Sequence, residues 1–120
     1  MIPKSIRQKP TRHYSKKQET QVANAIGAKR TPNSGATNFI KGDVLDDTIL
    51  IECKTKTRHS KSHSIRKEWI EKNREEAFAM GKKYSAIAFN YGPDEENFYI
   101  VSEYMFKELL QKLAESENII

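Results

Sequence analysis

Gly42-Asp43-Val44-Leu45-Asp46-Asp47-Thr48-Ile49-Leu50-Ile51-Glu52-Cys53-Lys54 is the stretch that decides how this chain folds. Two β-prone runs, 42–45 and 48–55, flank a pair of aspartates, the composition of a hairpin. Side chains alternate along a strand. Ile49, Ile51 and Cys53 therefore share an apolar face, while Leu50, Glu52, Lys54 and Lys56 share the other. A two-residue turn at Asp46-Asp47 pairs Leu45 with Thr48, Val44 with Ile49 and Asp43 with Leu50. Asp43 then becomes the diagonal neighbour of Glu52 on one face, about 7–8 Å away. A slip of one residue would send Asp43 to the other face.

Working outward, Val22, Ala23 and Ile26 recur at helical spacing between Ser15, a candidate N-cap, and Gly27. Residues 1–14, with Pro3 and Pro10 among bases, read as a basic flexible arm. Arg30 to Asn38 is rich in turn formers and reads as a loop. Downstream, Ser64 is expected to cap a helix through Met80. Ile65, Trp69, the stem of Lys72 and Ala77 would line one side, and Gly81 would stop it. Tyr84–Phe89 and Asn97–Val101 read as strands joined by a turn-rich connection. Ser102 caps a last helix with an apolar stripe of Phe106, Leu109, Leu110 and Leu113. This order predicts one α/β domain over residues 15–120, a small mixed β-sheet flanked by helices, with a right-handed crossover wherever parallel strands are joined.

The chain has 120 residues, of which 37% are hydrophobic and 31% charged, enough apolar content for one core. No apolar run approaches the roughly 20 residues of a membrane span, and the basic N-terminus lacks the apolar stretch of a signal peptide. The single cysteine, Cys53, has no internal disulfide partner, so a reducing, cytoplasmic interior is expected. Charge is unevenly placed: residues 1–93 hold 19 bases and nine acids, while residues 94–120 hold two bases and seven acids. Residues 1–17, including Lys16 and Lys17, carry six bases and no acid, and so does the run from Lys54 to Lys67. Such runs fit a polyanion partner, because neutralised phosphates release counterions. A solvated surface that keeps the chain soluble is the plainer alternative.

Two carboxylates and a lysine on one sheet face suit a divalent cation. Mg²⁺ takes hard oxygen ligands, with one or two carboxylates and the remainder from water or phosphate, and Mn²⁺ is an alternative. Asp43 and Glu52 are the candidate ligands, the Cys53 backbone carbonyl a third oxygen, and Lys54 the group that would orient water or neutralise developing charge. The competing reading is an ordinary Glu52–Lys54 surface pair beside an aspartate that starts a turn. Glu19 is the only acid before Asp43, hence the sole first-helix candidate ligand. Ser34 and Gly35, flanked by Arg30 and Lys41, could cradle phosphate. Lys56, Arg58, Lys61, Arg66 and Lys67 are the expected phosphate contacts beside the metal face. His59 and His63 have neither a glutamate between them nor a cysteine pair nearby, so zinc is a poor reading. Trp69 and Phe78 are expected in the core. The acidic C-terminal segment reads as a solvated face or one that keeps DNA away.

Asp43, then Glu52-Cys53-Lys54 closing an apolar strand, with one helix before and a long one after, resembles the PD-(D/E)XK nuclease fold. More narrowly, it is similar to archaeal and bacteriophage Holliday-junction resolvases, over about residues 15–103. Gly42 stands where the family has proline. The resemblance implies a restriction-endonuclease-like αβββαβ core. It matches Glu19 to a first-helix glutamate, and Arg30, Ser34 and Gly35 to an Arg/Ser/Gly loop ahead of the aspartate. It also implies metal-dependent hydrolysis of DNA phosphodiesters and a homodimer with two sites on a four-way junction, in recombination or repair. Two further readings stay open: a restriction-like or repair endonuclease on linear duplex or flaps, and a non-catalytic nucleic-acid-binding module.

Overall fold

A computed structural model of the chain describes residues 11–30 and 43–118, with Lys29, Arg30, Asp43 and Asn118 placed by their backbone. The elements run α1 (Thr11–Ile26), β1 (Lys29–Arg30), β2 (Asp43–Leu45), β3 (Ile49–Lys54), α2 (Lys67–Ala79), β4 (Tyr84–Phe89), β5 (Phe98–Ile100) and α3 (Glu103–Asn118). The five strands form one mixed sheet in the order β1-β2-β3-β4-β5. Only β3 and β4 are parallel, and α2 supplies the crossover between them that parallel pairing requires.

The hairpin forms one residue later than its composition predicts. Asp46 N–H donates to Ile49 O (3.1 Å), while Asp46 Oδ1 accepts from Thr48 N (2.8 Å) and Ile49 N (2.9 Å). The aspartate thus makes the turn itself, with Asp47 and Thr48 at its tip. Burial pulls the Asp46 carboxyl up, but these hydrogen bonds and Lys82 outweigh it and hold it below the usual range. Moving the turn by one shifts the pairing by two. Leu45 faces Leu50, Val44 faces Ile51, and Asp43 faces Glu52 directly. A shift of two preserves which face each residue occupies.

Helix α1 starts at Thr11, so residues 11–14 belong to the helix and not to an arm. No glycine or proline interrupts 11–26, and Ser15 lies inside the helix, its hydroxyl donating to Thr11 O (3.3 Å) rather than capping. Gly27 ends it at φ +69°, a conformation glycine adopts without steric cost. Its inward face carries Gln18, Glu19, Val22 and Ala23. Val22 and Ala23 pack with Val44, Ile51, Ala86 and Ala88 into the core on one side of the sheet.

On the other side α2 covers Leu50 and Ile87, which are 0% and 1% exposed. Its N-cap is Arg66, extended and without a side-chain cap bond, not Ser64. Asn73 and Ala77, four residues apart, form its buried line, with Trp69 and Ile70 half-buried. Lys72 is exposed. Phe78, expected in the core, is 86% exposed, because one residue past Ala77 the helix has turned by about 100°.

Ser102 caps α3 as predicted, accepting from Met105 N at 3.1 Å. The apolar stripe of that helix nevertheless stays uncovered: Phe106, Leu109, Leu110 and Leu113 are 44–60% exposed. Glu108 ties the helix to the body through Lys83 (3.5 Å) and the Tyr84 hydroxyl. Among the described residues, no helix is long and apolar enough to cross a membrane.

Candidate active site

Strand β3 changes character along its length. Leu50 and Ile51 are buried on opposite faces, whereas Glu52, Cys53 and Lys54 are half-buried. Asn73 Nδ2 donates to Leu50 O (3.4 Å), so α2 seals the first half of the strand. The Leu50/Glu52/Lys54 face is therefore open only from Glu52 onward. Asp43, on β2, is the cross-strand partner of Glu52. Directly opposed positions have Cβ atoms about 4.5–5.5 Å apart, closer than the diagonal spacing expected from sequence.

The Glu52 side chain is 14% exposed, with Oε1 lying 3.6 Å from Lys54 Nζ. Its Oε2 is buried and accepts from no group among the described residues. Burial pushes its pKa up, against the opposing pull of Lys54; Glu76 adds to the rise and Lys72 subtracts from it. Both come from α2, where they stand 3.9 Å apart. Lys54 is held in turn by Trp69, whose ring centroid lies 4.5 Å from Nζ, within cation–π range. Trp69 also meets His63 edge-on, at 6.3 Å between rings. The tryptophan is thus a seat for the lysine as well as part of the packing.

A buried amide network fixes the end of β3. Gln18, 1% exposed, directs Nε2 to Lys54 O (2.9 Å), Asn97 Oδ1 (3.1 Å) and Ala88 O (3.3 Å). Asn90, also 1% exposed, accepts at Oδ1 from Thr55 Oγ1 (2.8 Å) and Gly92 N (3.2 Å), and donates from Nδ2 to Asn97 Oδ1 (3.3 Å). The loop after β4 is thereby bound to the segment after Lys54. His63 Nδ1 meets Asn90 O, and His59 Nδ1 meets Glu95 Oε2, each at 2.6 Å. Gly92 sits inside this knot, where a Cβ would lie 2.6 Å from His59 Nδ1 and 2.8 Å from the His59 backbone. The two histidines work apart, each pinning the 90–97 loop.

The structure distributes the remaining candidates unevenly. Glu19 is 5% exposed and engaged, on the α1 side of the sheet, whereas Glu52 lies on the α2 side. The Cys53 side chain packs against the α1-side core. Arg30 is placed in β1 opposite Val44. Ser34, Gly35 and Lys41 lie outside the described residues. Lys17 is bound to Asp94 (2.7 Å), Arg66 to Glu68 (3.1 Å), and Lys67 lies 3.9 Å from Glu71. Lys56 donates to Ser60 Oγ (3.3 Å), while Lys16, Arg58 and Lys61 are exposed. Gln18, Trp69, Lys72 and Glu76 escaped the sequence reading as parts of this site. Helical spacing puts Trp69 and Lys72 on the inward side of α2, and Glu76, one turn after Lys72, shares that side.

Among the described residues, no group of three or more His, Cys, Asp or Glu side chains is arranged to hold a metal. What the site does offer a hard cation is a buried carboxylate oxygen without a donor, opposite an aspartate position. The chain matches no family model, no curated protein and no solved structure.

Proposed function

We propose that the chain is a metal-dependent, structure-selective DNA endonuclease with a restriction-endonuclease-like core, acting as a homodimeric Holliday-junction resolvase. The observation that carries this reading is the direct pairing of Asp43 with Glu52, whose Oε2 is buried and has no donor among the described residues, two residues before Lys54. A solvated surface pair would leave both carboxylate oxygens to water, whereas here Oε1 faces Lys54 at 3.6 Å and Oε2 is buried without a donor among the described residues, an arrangement that costs stability unless a further group is bound. The donor set fits a hard divalent cation such as Mg²⁺ or Mn²⁺. Asp43 and Glu52 would hold it with the Cys53 carbonyl, whereas Glu19, buried and engaged on the α1 side of the sheet, lies across the strand from Glu52 and is left out of the ligand set. When bound, the cation supplies a nucleophilic hydroxide near neutral pH and offsets charge on the phosphodiester. Lys54, steadied over Trp69, stabilises the charge that builds as the bond breaks. Lys16, Lys56, Arg58 and Lys61 give phosphate contacts on the surface, and Ser34, Gly35 and Lys41 belong to the loop assigned by resemblance.

The test is a gel comparing a four-way junction, a linear duplex and a flap, with and without Mg²⁺. Paired nicks across the junction at low enzyme are expected. Asp43→Asn and Glu52→Gln should abolish cleavage while junction binding persists. Undiminished cutting by either variant refutes the assignment. Preference for the duplex or flap would move the substrate and leave the chemistry in place.

A further inference from the structure

We propose that α3 is a self-association surface, pairing antiparallel with α3 of a second copy of this chain. Phe106, Leu109, Leu110 and Leu113 fall at helical spacing on one side of α3 and are 53%, 44%, 50% and 60% exposed. Met105 and Glu108 are half-buried on the body-facing side, and among the described residues none covers the stripe. Four side chains half bare leave on the order of 300–400 Å² of contiguous apolar surface, the size at which a patch on a soluble protein usually has a partner. That is about half of the roughly 800 Å² that a standard interface buries per side; the flanking helix surface can furnish the rest.

Symmetry and charge select a second copy as that partner. A two-fold axis near Leu109 and Leu110 lays stripe on stripe, so one patch serves both protomers. It also runs the two helices head to tail, bringing the last turn of one beside the first turn of the other. The last turn carries Glu115 and Glu117. At the root of α3, Ser102, Tyr104 and Met105 line a groove of about 320 Å³ with Arg74, Lys82 and Lys83; Lys83 is paired with Glu108 and Glu103 stands in the same turn, so the positive side of the groove rests on Arg74 and Lys82. An acidic helix end thus approaches a cationic groove twice, once at each end of the pair. The groove also borders Tyr84, which starts β4 opposite Ile49, whereas Lys54 lies at the far end of that parallel pair. Association through α3 therefore leaves the candidate site uncovered, and it holds whether or not that site cleaves DNA.

Sedimentation equilibrium of the full chain, from low micromolar to a few hundred micromolar and without DNA, tests this. A reversible monomer–dimer equilibrium is expected. Leu109→Lys with Leu113→Lys should raise its dissociation constant at least tenfold with helicity and melting midpoint retained. Glu115→Lys with Glu117→Lys should weaken it severalfold, and adding Arg74→Glu with Lys82→Glu should restore it. A wild-type chain monomeric throughout overturns the proposal, as would a dimer indifferent to the lysine substitutions. If the leucine variant misfolds, the charge reversal decides: weakening without rescue places the interface elsewhere. Loss of nuclease activity alone moves none of these masses.

Discussion

On its α1 side β3 presents Ile51, packed with Val22, Ala23, Val44, Ala86 and Ala88; on its α2 side it presents Leu50 and then Glu52. The cluster around Ile51 is apolar, and removing such surface from water stabilises at roughly 25 cal/mol per Å². The α2 side begins the same way and then encloses a carboxylate, one of whose oxygens has no donor among the described residues. Burial of that carboxylate opposes folding, and the Lys54 ammonium, 3.6 Å from Oε1, offsets part of it. One strand therefore divides its labour: Leu50 and Ile51 supply buried apolar surface on the two faces, and in the proposed reading Glu52 and Lys54 supply the chemistry.

The comparison is broken most forcefully on the stabilising side. Ile51→Ala removes a buried residue from the α1 core and should cost about 2–5 kcal/mol, read as a lower urea midpoint with unchanged slope. A cost under half of that would mean the α1 side is not the main source of stability. Gln18→Leu keeps the volume but leaves the carbonyls of Lys54 and Ala88 and the Asn97 amide without their shared donor. It should cost about 1–3 kcal/mol by the same measurement. It should also slow junction cleavage, because the end of β3 loses its clamp.

Smaller effects sharpen the reactive side. Trp69→Leu takes away the ring face under Lys54, about 0.5–1 kcal/mol beyond the lost packing. Turnover at saturating junction should fall with binding unchanged, and Trp69→Phe should recover part of it. Equal turnover in both variants would make Trp69 a packing residue only. Glu52→Gln is expected to raise the melting midpoint at neutral pH without divalent metal. The native Glu52 carboxyl sits above its unfolded pKa, mainly through burial, so it binds its proton more tightly when folded. That contribution is fully present below the unfolded pKa and is lost as pH rises through the folded one. The advantage of the amide should accordingly appear above that range and vanish in acid. A midpoint that does not rise at neutral pH would show that Lys54 already compensates the charge.

Much of this arrangement was legible in the sequence, for a reason visible in the hairpin. The turn was expected at Asp46-Asp47 and forms around Asp47-Thr48, yet Asp43 and Glu52 still share a face, because strand side chains repeat every two residues and the pairing moved by two. Capping by Ser102 was equally local: a hydroxyl followed by an amphipathic run. The start of α2 was misread because Ser64 is an acceptable cap by itself, whereas the 55–66 segment is held to the 90–97 loop by Ser60 N–H on Tyr91 O, His63 and Thr55. Gln18 and Asn90 resemble solvated polar residues in a one-dimensional reading. Their partners lie up to 79 positions away, so nothing near them in the chain marks them as buried.

The sequence by itself determined the alternation of helix and strand, the face on which Asp43, Glu52 and Lys54 fall, and the charge imbalance between the two ends. These follow from periodicity and composition, which act over a few residues. Tertiary structure alone decided that α2 buries Glu52 beside Glu76, that Trp69 rather than solvent receives Lys54, and that no described residue covers the stripe on α3. Each of these depends on how elements distant in the chain pack together, and local propensity carries no information about what stands opposite.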